Sequence, residues 1–189
     1  MFKTQVRGLA AVRDELLAIP HPFTRDAVER VVRGLRPTRE ELEPYIQFSP
    51  SGYTRTGFYH GPRFEILVLC WKDGQCSPIH DHASSICSMA VVEGVCSTET
   101  YTLPGEQRAS AVVPGESVSL SRTARGLFQR GEVVTVVGGD IHRVGNLQGD
   151  GADLVTVHVY LPAIASMRCF DEQTGLCSVT AAVTLPPRS

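Results

Sequence analysis

Apolar residues in the first fifty positions recur every three or four residues, which is the spacing of an amphipathic helix. A first helix is predicted over residues 4–18, on the apolar positions Val6, Leu9, Ala10, Val12, Leu16 and Leu17. A second helix is predicted after Thr24, because valines and a leucine in residues 28–35 fall on one face. A T-x-x-E capping box at Thr38 and Glu41 predicts a third, short helix.

The pattern changes from Tyr53 onward to short β-branched and apolar runs that are broken by Gly, Pro and Asp. Strands are predicted in RFEILVLCW, SMAVVEGVCSTETY, ASAVV, ESVSL, EVVTVV and DLVTVHVYL. No helix is predicted between these runs, whereas parallel strands would need such crossovers. The sequence therefore predicts an antiparallel all-β sandwich or barrel with a helical N-terminal segment.

The length of 189 residues suits one domain with a single core. We predict a single domain over residues 1–189, in which helices in residues 1–45 pack on a β-barrel formed by residues 46–189. A net charge of −2 without a basic run gives no indication of nucleic-acid binding. Without an apolar signal segment or an apolar run of about 18 residues, we expect a cytoplasmic protein with no membrane association and no obligate protein partner.

Six cysteines are spread over the chain without any CxxC pair. A chain of this length does not need disulfides for stability, and cytoplasmic thiols stay reduced. Most of the cysteines are therefore expected to be reduced, buried, small apolar side chains.

The segment IHDH is the first candidate for chemistry. Alternate residues of a strand share a face, so His80 and His82 can point into a barrel together while Asp81 points away. Such a pair is suited to a first-row transition metal, and a third histidine would complete the site. The remaining histidines are His21, His60, His142 and His158, of which the first two are not favoured because they fall in the helical segment and in a predicted hairpin loop.

The glycine spacing around IHDH matches the first motif of the cupin fold, which reads here Gly74-x5-His80-x-His82-x4-Cys87-x6-Gly94. The second motif is matched by Gly131-x5-Val137-x-Gly139-x2-His142-x3-Asn146. The match predicts a cupin, a jelly-roll type β-barrel, with His80, His82 and His142 as metal ligands. Cysteine takes the place of the usual glutamate, which leaves three neutral ligands. Fe(II) in such a site would favour a thiolate, but Zn(II) with water is also compatible with it.

Beyond the cupin motifs, the chain resembles the cysteine dioxygenase family. The similar segments are GYTRT at Gly52–Thr56, LCW, IHDH, IHRVGN, VTVHVYLP and CFDEQTG. The resemblance implies one Fe(II) per chain, small-thiol and dioxygen substrates, and Arg55 as the partner of the substrate carboxylate, with Tyr53 lining the pocket. It further implies an active-site Tyr160, a supporting His158 and a further partner in Thr156.

The same resemblance gives Cys87 a candidate role, because some family members join a cysteine at this position to the active-site tyrosine by a thioether bond. Cys87 and Tyr160 are both present here, so a crosslink is expected, with an unmodified core thiol as the alternative. The activity implied is oxidation of L-cysteine by dioxygen to cysteine sulfinic acid. The alternatives are dioxygenation of another small thiol such as 3-mercaptopropionate, and a non-catalytic metal-binding cupin that senses a small acid. A zinc hydrolase or isomerase is disfavoured because the motifs contain no carboxylate placed as a general base.

Overall fold

The computed structural model describes residues 7–105 and 107–188. Its helical segment consists of α1 (Leu9–Ala18), α2 (Arg25–Val32) and α3 (Arg39–Leu42), followed by a 3-10 helix at Glu43–Tyr45. The Thr24 hydroxyl accepts a hydrogen bond from the Ala27 N–H at the start of α2. Thr38 and Glu41 form both hydrogen bonds of the predicted capping box. The predicted starts of α2 and α3 are therefore confirmed.

The first helix is shorter than predicted. Gly8 is its N-cap and has an extended backbone, and Arg7 instead forms a parallel bridge with Leu35. The early part of the predicted apolar pattern, including Val6, lies outside the described residues. The prediction from apolar spacing alone therefore began the helix too early, because it did not take account of Gly8, the N-cap.

The strands are β1 (Thr54–His60), β2 (Glu65–Trp71), β3 (Ile79–His80), β4 (Ile86–Glu93), β5 (Val95–Thr102), β6 (Ser121–Gln129), β7 (Val133–Val136), β8 (Ile141–Gly145), β9 (Leu154–Leu161), β10 (Ser166–Phe170) and β11 (Cys177–Ala181). They form one sheet in the order β1-β2-β9-β4-β7 and a second in the order β11-β10-β3-β8-β5-β6, with antiparallel pairing throughout. This architecture is the predicted cupin-type β-barrel with a helical N-terminal segment.

Two of the predicted strands are wrong, and several strands were missed, among them β6, β10 and β11. ASAVV is mainly a 3-10 helix (Ala109–Ala111), and ESVSL is irregular apart from one isolated bridge. Pro104 and Pro114-Gly115 bracket the first run, which leaves little length for a strand. Strand β6 was missed because its sequence, SRTARGLFQ, is polar and largely exposed, so it lacks a period-two apolar signal.

Gly94 divides the predicted run SMAVVEGVCSTETY into β4 and β5, which belong to different sheets. Its φ of +80° lies in the left-handed region, and a Cβ at this position would lie 2.6 Å from the Asp153 carbonyl oxygen. Only glycine meets both conditions without strain. The chain can therefore pass sharply from one sheet to the other here.

The central strands β2 and β9 are buried on both faces. On β2, Ile66, Val68 and Cys70 join the cluster that contains the apolar faces of α1 and α2, while Leu67 and Leu69 belong to the barrel interior. Strand β9 alternates in the same way, so that its residues 156, 158 and 160 face the interior. None of the helices in the described part of the chain has the length and apolar run needed to cross a membrane.

Candidate active site

Three buried histidines meet inside the barrel. His80 ends β3 and is paired with His142 of β8, and His82 lies two residues beyond His80. One ligand-type atom from each residue lies within 4.8 Å of the others, and the Nε2 atoms of His80 and His82 are 3.1 Å apart. Two nitrogens that are each about 2.1 Å from one ion lie about 3 Å apart when they subtend a right angle. This spacing fits a shared metal ion.

Hydrogen bonds and burial put these imidazoles in the form that binds a metal. The Nδ1 atoms of His80 and His142 lie 2.9 Å and 3.3 Å from the carbonyl oxygens of Pro78 and Asp140, to which a ring N–H can donate. Their Nε2 lone pairs are then free to face the centre. Burial lowers the pKa of His80 and His82, and burial together with His80 lowers the pKa of His142 to about 3. All three therefore stay neutral, as ligation requires.

The two histidines that the sequence did not favour, His21 and His60, are exposed and lie outside this cluster. One detail of the prediction is wrong, because His82 is not on a strand with His80: β3 ends at His80. Asp81 nevertheless points away from the histidines, since its carboxylate is bound by Arg168. The side chains therefore alternate as predicted although the strand stops early.

Arg55 and the histidines line one cavity of about 260 Å³. The Arg55 side chain extends from β1 and is only 7% exposed, and its Nε and Nη2 have no hydrogen-bond partner among the described residues. The Cζ atom lies 5.3 Å from the centre of the Tyr160 ring. Tyr53 also lines the cavity and stacks on Trp71, with 4.2 Å between ring centroids. Buried donors without partners at a cavity wall can bind a carboxylate.

Glu65 is a neighbour of Arg55 that the sequence prediction missed. Its Oε1 lies 4.0 Å from Arg55 Nη2 and accepts the Ile164 N–H at 3.0 Å, and the carboxylate is almost fully buried. The signal was present in the sequence, because Glu65 is a charged residue at the start of the apolar run EILVLCW. This carboxylate partly offsets the buried charge of Arg55.

A chain of hydrogen bonds crosses the cavity wall along β9. Thr156 Oγ1 lies 3.0 Å from His158 Nε2, and His158 Nδ1 lies 3.0 Å from the Tyr160 hydroxyl. Trp71 Nε1, which was not predicted to take part, donates to Thr156 Oγ1 at 3.0 Å. Because an indole N–H can only donate, Thr156 Oγ1 accepts from Trp71 and its own proton can go to His158 Nε2; in that tautomer His158 Nδ1 donates to the Tyr160 oxygen. The Tyr160 hydroxyl proton is then free for a group in the cavity.

Cys87 lies next to this chain. It is directly opposite Tyr160 in the β4–β9 pair, and its Sγ is 3.9 Å from His158 Nδ1. Burial raises the pKa of Cys87 to about 12. All six cysteines are free thiols, and all except Cys76 are buried. The expected burial of most of the cysteines is thus confirmed.

The family model for cysteine dioxygenase type I matches residues 10–173 of this chain. The cysteine dioxygenase type 1 of Danio rerio is 26% identical over 182 residues, which cover 93% of this chain and 86% of the relative. The human cysteine dioxygenase type 1 is 26% identical over 181 residues with the same coverage. A solved cupin superfamily protein from Desulfitobacterium hafniense is 12% identical, with a TM-score of 0.45 over 67% of this chain and 91% of that chain.

Proposed function

The chain belongs to the cysteine dioxygenase type I family, and from that premise we propose that it oxidises L-cysteine with dioxygen to cysteine sulfinic acid. We assign Fe(II) to His80, His82 and His142, one ion per chain. A bound Fe(II) would supply the redox chemistry that activates dioxygen, and it would lower the pKa of a bound thiol. Both oxygen atoms end on sulfur, and the sulfur supplies the electrons that dioxygen takes up, so no reductant is needed.

The observation that carries this proposal is the presence of Arg55 and the three histidines in one cavity. Arg55 is buried, with two donors that have no hydrogen-bond partner in the described part of the chain, and we assign it to the substrate carboxylate, which would receive charge-assisted hydrogen bonds. A small amino-acid thiol held at this end has its sulfur directed toward the imidazoles. Tyr53 and Trp71 stack on each other and form an aromatic wall of the same cavity.

The roles of the β9 residues follow from their hydrogen bonds. Tyr160 is assigned to the substrate and dioxygen side of the cavity, where its hydroxyl can donate a proton. His158 and Thr156 fix the direction of that hydroxyl. A barrel that only sensed a small acid would not need a series of polar side chains of this kind beside its metal. These hydrogen bonds therefore favour catalysis over binding alone.

Cys87 and Tyr160 are assigned to a thioether bond between Sγ and a tyrosine ring carbon. Formation removes the thiol hydrogen and one ring hydrogen, that is, two protons and two electrons, and these reduce one dioxygen, which the reaction already uses, to hydrogen peroxide. The opposite positions of the two residues support this assignment.

The test is anaerobic reconstitution with Fe(II), followed by oxygen uptake with L-cysteine, 3-mercaptopropionate and cysteamine in parallel. We expect uptake with L-cysteine and one sulfinate formed for each dioxygen consumed. Oxygen uptake with 3-mercaptopropionate alone would support thiol dioxygenation but would reject L-cysteine as the substrate. If iron binds stoichiometrically and no thiol is oxidised, the activity is rejected in favour of a binding cupin. Reconstitution with Zn(II) is the control and should give no uptake.

A further inference from the structure

His80 and His82 are held in place in different ways. His80 belongs to β3 and is paired with Cys169 on one side and His142 on the other. His82 lies beyond the end of that strand, and its Nδ1 has no hydrogen-bond partner within the described ranges. Neither a strand ladder nor a ring hydrogen bond therefore fixes the position of His82.

Asp81, between these two histidines, is anchored by Arg168 of β10. The Asp81 side chain is 0% exposed, and its Oδ2 accepts from both Nε and Nη2 of Arg168 at 2.9 Å. The Asp81 main-chain N–H also donates to the Arg168 carbonyl oxygen at 3.1 Å. Arg168 thus holds both the backbone and the side chain of Asp81.

The second Asp81 oxygen stabilises the turn that follows His82. Oδ1 accepts the Ala83 N–H at 3.2 Å, and Ala83 has a φ of 52°, in the region that favours glycine. The Ser85 N–H closes the turn by donating to the His82 carbonyl oxygen at 2.9 Å. On the other side the turn touches Gly138, where a Cβ would lie 2.2 Å from the Ala83 carbonyl oxygen. The main chain around His82 is therefore fixed through the Asp81 carboxylate.

A fully buried carboxylate is costly unless a charged partner and hydrogen bonds compensate it. Because neighbouring side chains alternate in direction here, holding the Asp81 side chain toward β10 directs His80 and His82 into the cavity. We propose that the Asp81–Arg168 pair positions His82 for metal binding, so that metal affinity depends on two residues that do not contact the metal. This inference rests on the metal site of the proposed function. Loss of such support lowers metal affinity about 10- to 100-fold in other proteins.

The test is anaerobic titration with Co(II), whose visible spectrum reports its ligands, of the wild-type protein and of Arg168→Met. We expect the variant to bind Co(II) about 10- to 100-fold more weakly. The double variant Asp81→Asn/Arg168→Met separates positioning from stability, because it leaves no unpaired buried charge. Its resistance to urea should recover relative to Arg168→Met, while its Co(II) affinity stays low.

The matched control is Arg122→Met. Arg122 also donates to a buried carboxylate, that of Glu99, in the same sheet but away from the IHDH segment. This variant should bind Co(II) like the wild type. Wild-type affinity in the double variant, or an equal loss in Arg122→Met, would overturn the proposal. If the wild-type protein binds Co(II) but oxidises no thiol after reconstitution with Fe(II), the proposed activity alone is rejected, whereas absence of Co(II) binding would reject both.

Discussion

Cys87 and Tyr160 occupy directly opposite positions on the antiparallel strands β4 and β9, and both line the cavity that contains the three histidines. Opposite residues in such a pair have Cβ atoms about 4.5–5.5 Å apart. A thioether bond can therefore form without a change in strand register. Because burial raises the pKa of Cys87 to about 12, the resting thiol is protonated and not spontaneously reactive.

We accordingly predict that the crosslink accumulates with turnover. Protein purified without iron should have the full mass of the chain, and incubation with Fe(II), L-cysteine and dioxygen should remove the mass of two hydrogen atoms. Cys87→Ser should abolish this change. Cys96→Ser is the matched control, because the pKa of Cys96 is also raised to about 12 by burial, yet this thiol lies against Met89 and not Tyr160. A mass loss that persists in Cys87→Ser would place the modification elsewhere.

Replacement of Arg55 should separate substrate recognition from metal binding. Arg55→Gln removes a buried guanidinium that faces the cavity, and hydrogen bonds to charged groups contribute about 1.5–3 kcal/mol. We expect kcat/KM for L-cysteine to fall about 10- to 100-fold, with unchanged iron content. Cysteamine, which has no carboxylate, should be oxidised by the wild type and the variant at similar rates. Equal losses of iron and of L-cysteine oxidation would instead give Arg55 a structural role.

The parts of the fold that the sequence predicted are those whose signals are local. Thr24 and Thr38 cap helices through contacts three residues away, and β9 is an apolar run long enough to identify by itself. Strand β6 was not predictable in this way, because it is a polar edge strand whose existence depends on pairing with β5. The run ASAVV was predicted as a strand because of its two valines, but its first three residues, Ala109–Ala111, form a 3-10 helix.

The residues of the candidate site also divide into those with a local sequence signal and those without one. The grouping of the three histidines was predicted from motif spacing. The series Thr156, His158 and Tyr160 was implied by the family resemblance, and strand parity places these three side chains on one face. Arg168 could not be predicted, because it becomes relevant only through Asp81, a partner that is distant in sequence. Glu65 could be noticed as a charged residue in an apolar run, but nothing in the sequence indicated its partner Arg55. A contact between strands that are far apart in the chain produces no periodic pattern in a single sequence.

The hydrogen-bond chain on β9 can be tested at Thr156. Thr156→Val keeps the shape of the side chain but leaves the Trp71 N–H and His158 Nε2 without their partner. Unsatisfied buried groups cost about 1–3 kcal/mol, so we expect kcat to fall by about tenfold or more, with little change in KM or iron content. Thr156→Ser retains the hydroxyl and should keep most of the activity. If the serine variant loses as much as the valine variant, packing of the methyl group matters and not the hydrogen bond.

The buried His158 gives a prediction for the pH dependence of stability. Burial, with a further contribution from Arg55, lowers the pKa of His158 well below its usual value. Below about pH 6.5 the unfolded chain therefore binds a proton at this residue that the folded protein does not. The contribution of His158 to the free energy of unfolding is thus complete above the pKa that this residue has in the unfolded chain. It is lost as the pH falls toward the lower pKa that the residue has in the folded protein.

We expect the wild type to lose about 1.4 kcal/mol more stability than His158→Gln for each pH unit below about 6.5. The measurement is urea unfolding of both metal-free proteins between about pH 5.5 and about pH 7.5. The three cavity histidines are present in both proteins, so their contributions cancel in the difference. His21→Gln, which changes an exposed histidine, should follow the wild-type curve. Parallel curves for the wild type and His158→Gln would mean that His158 is protonated in the folded protein, and the donation assigned from the Thr156 hydroxyl to His158 Nε2 would then be wrong.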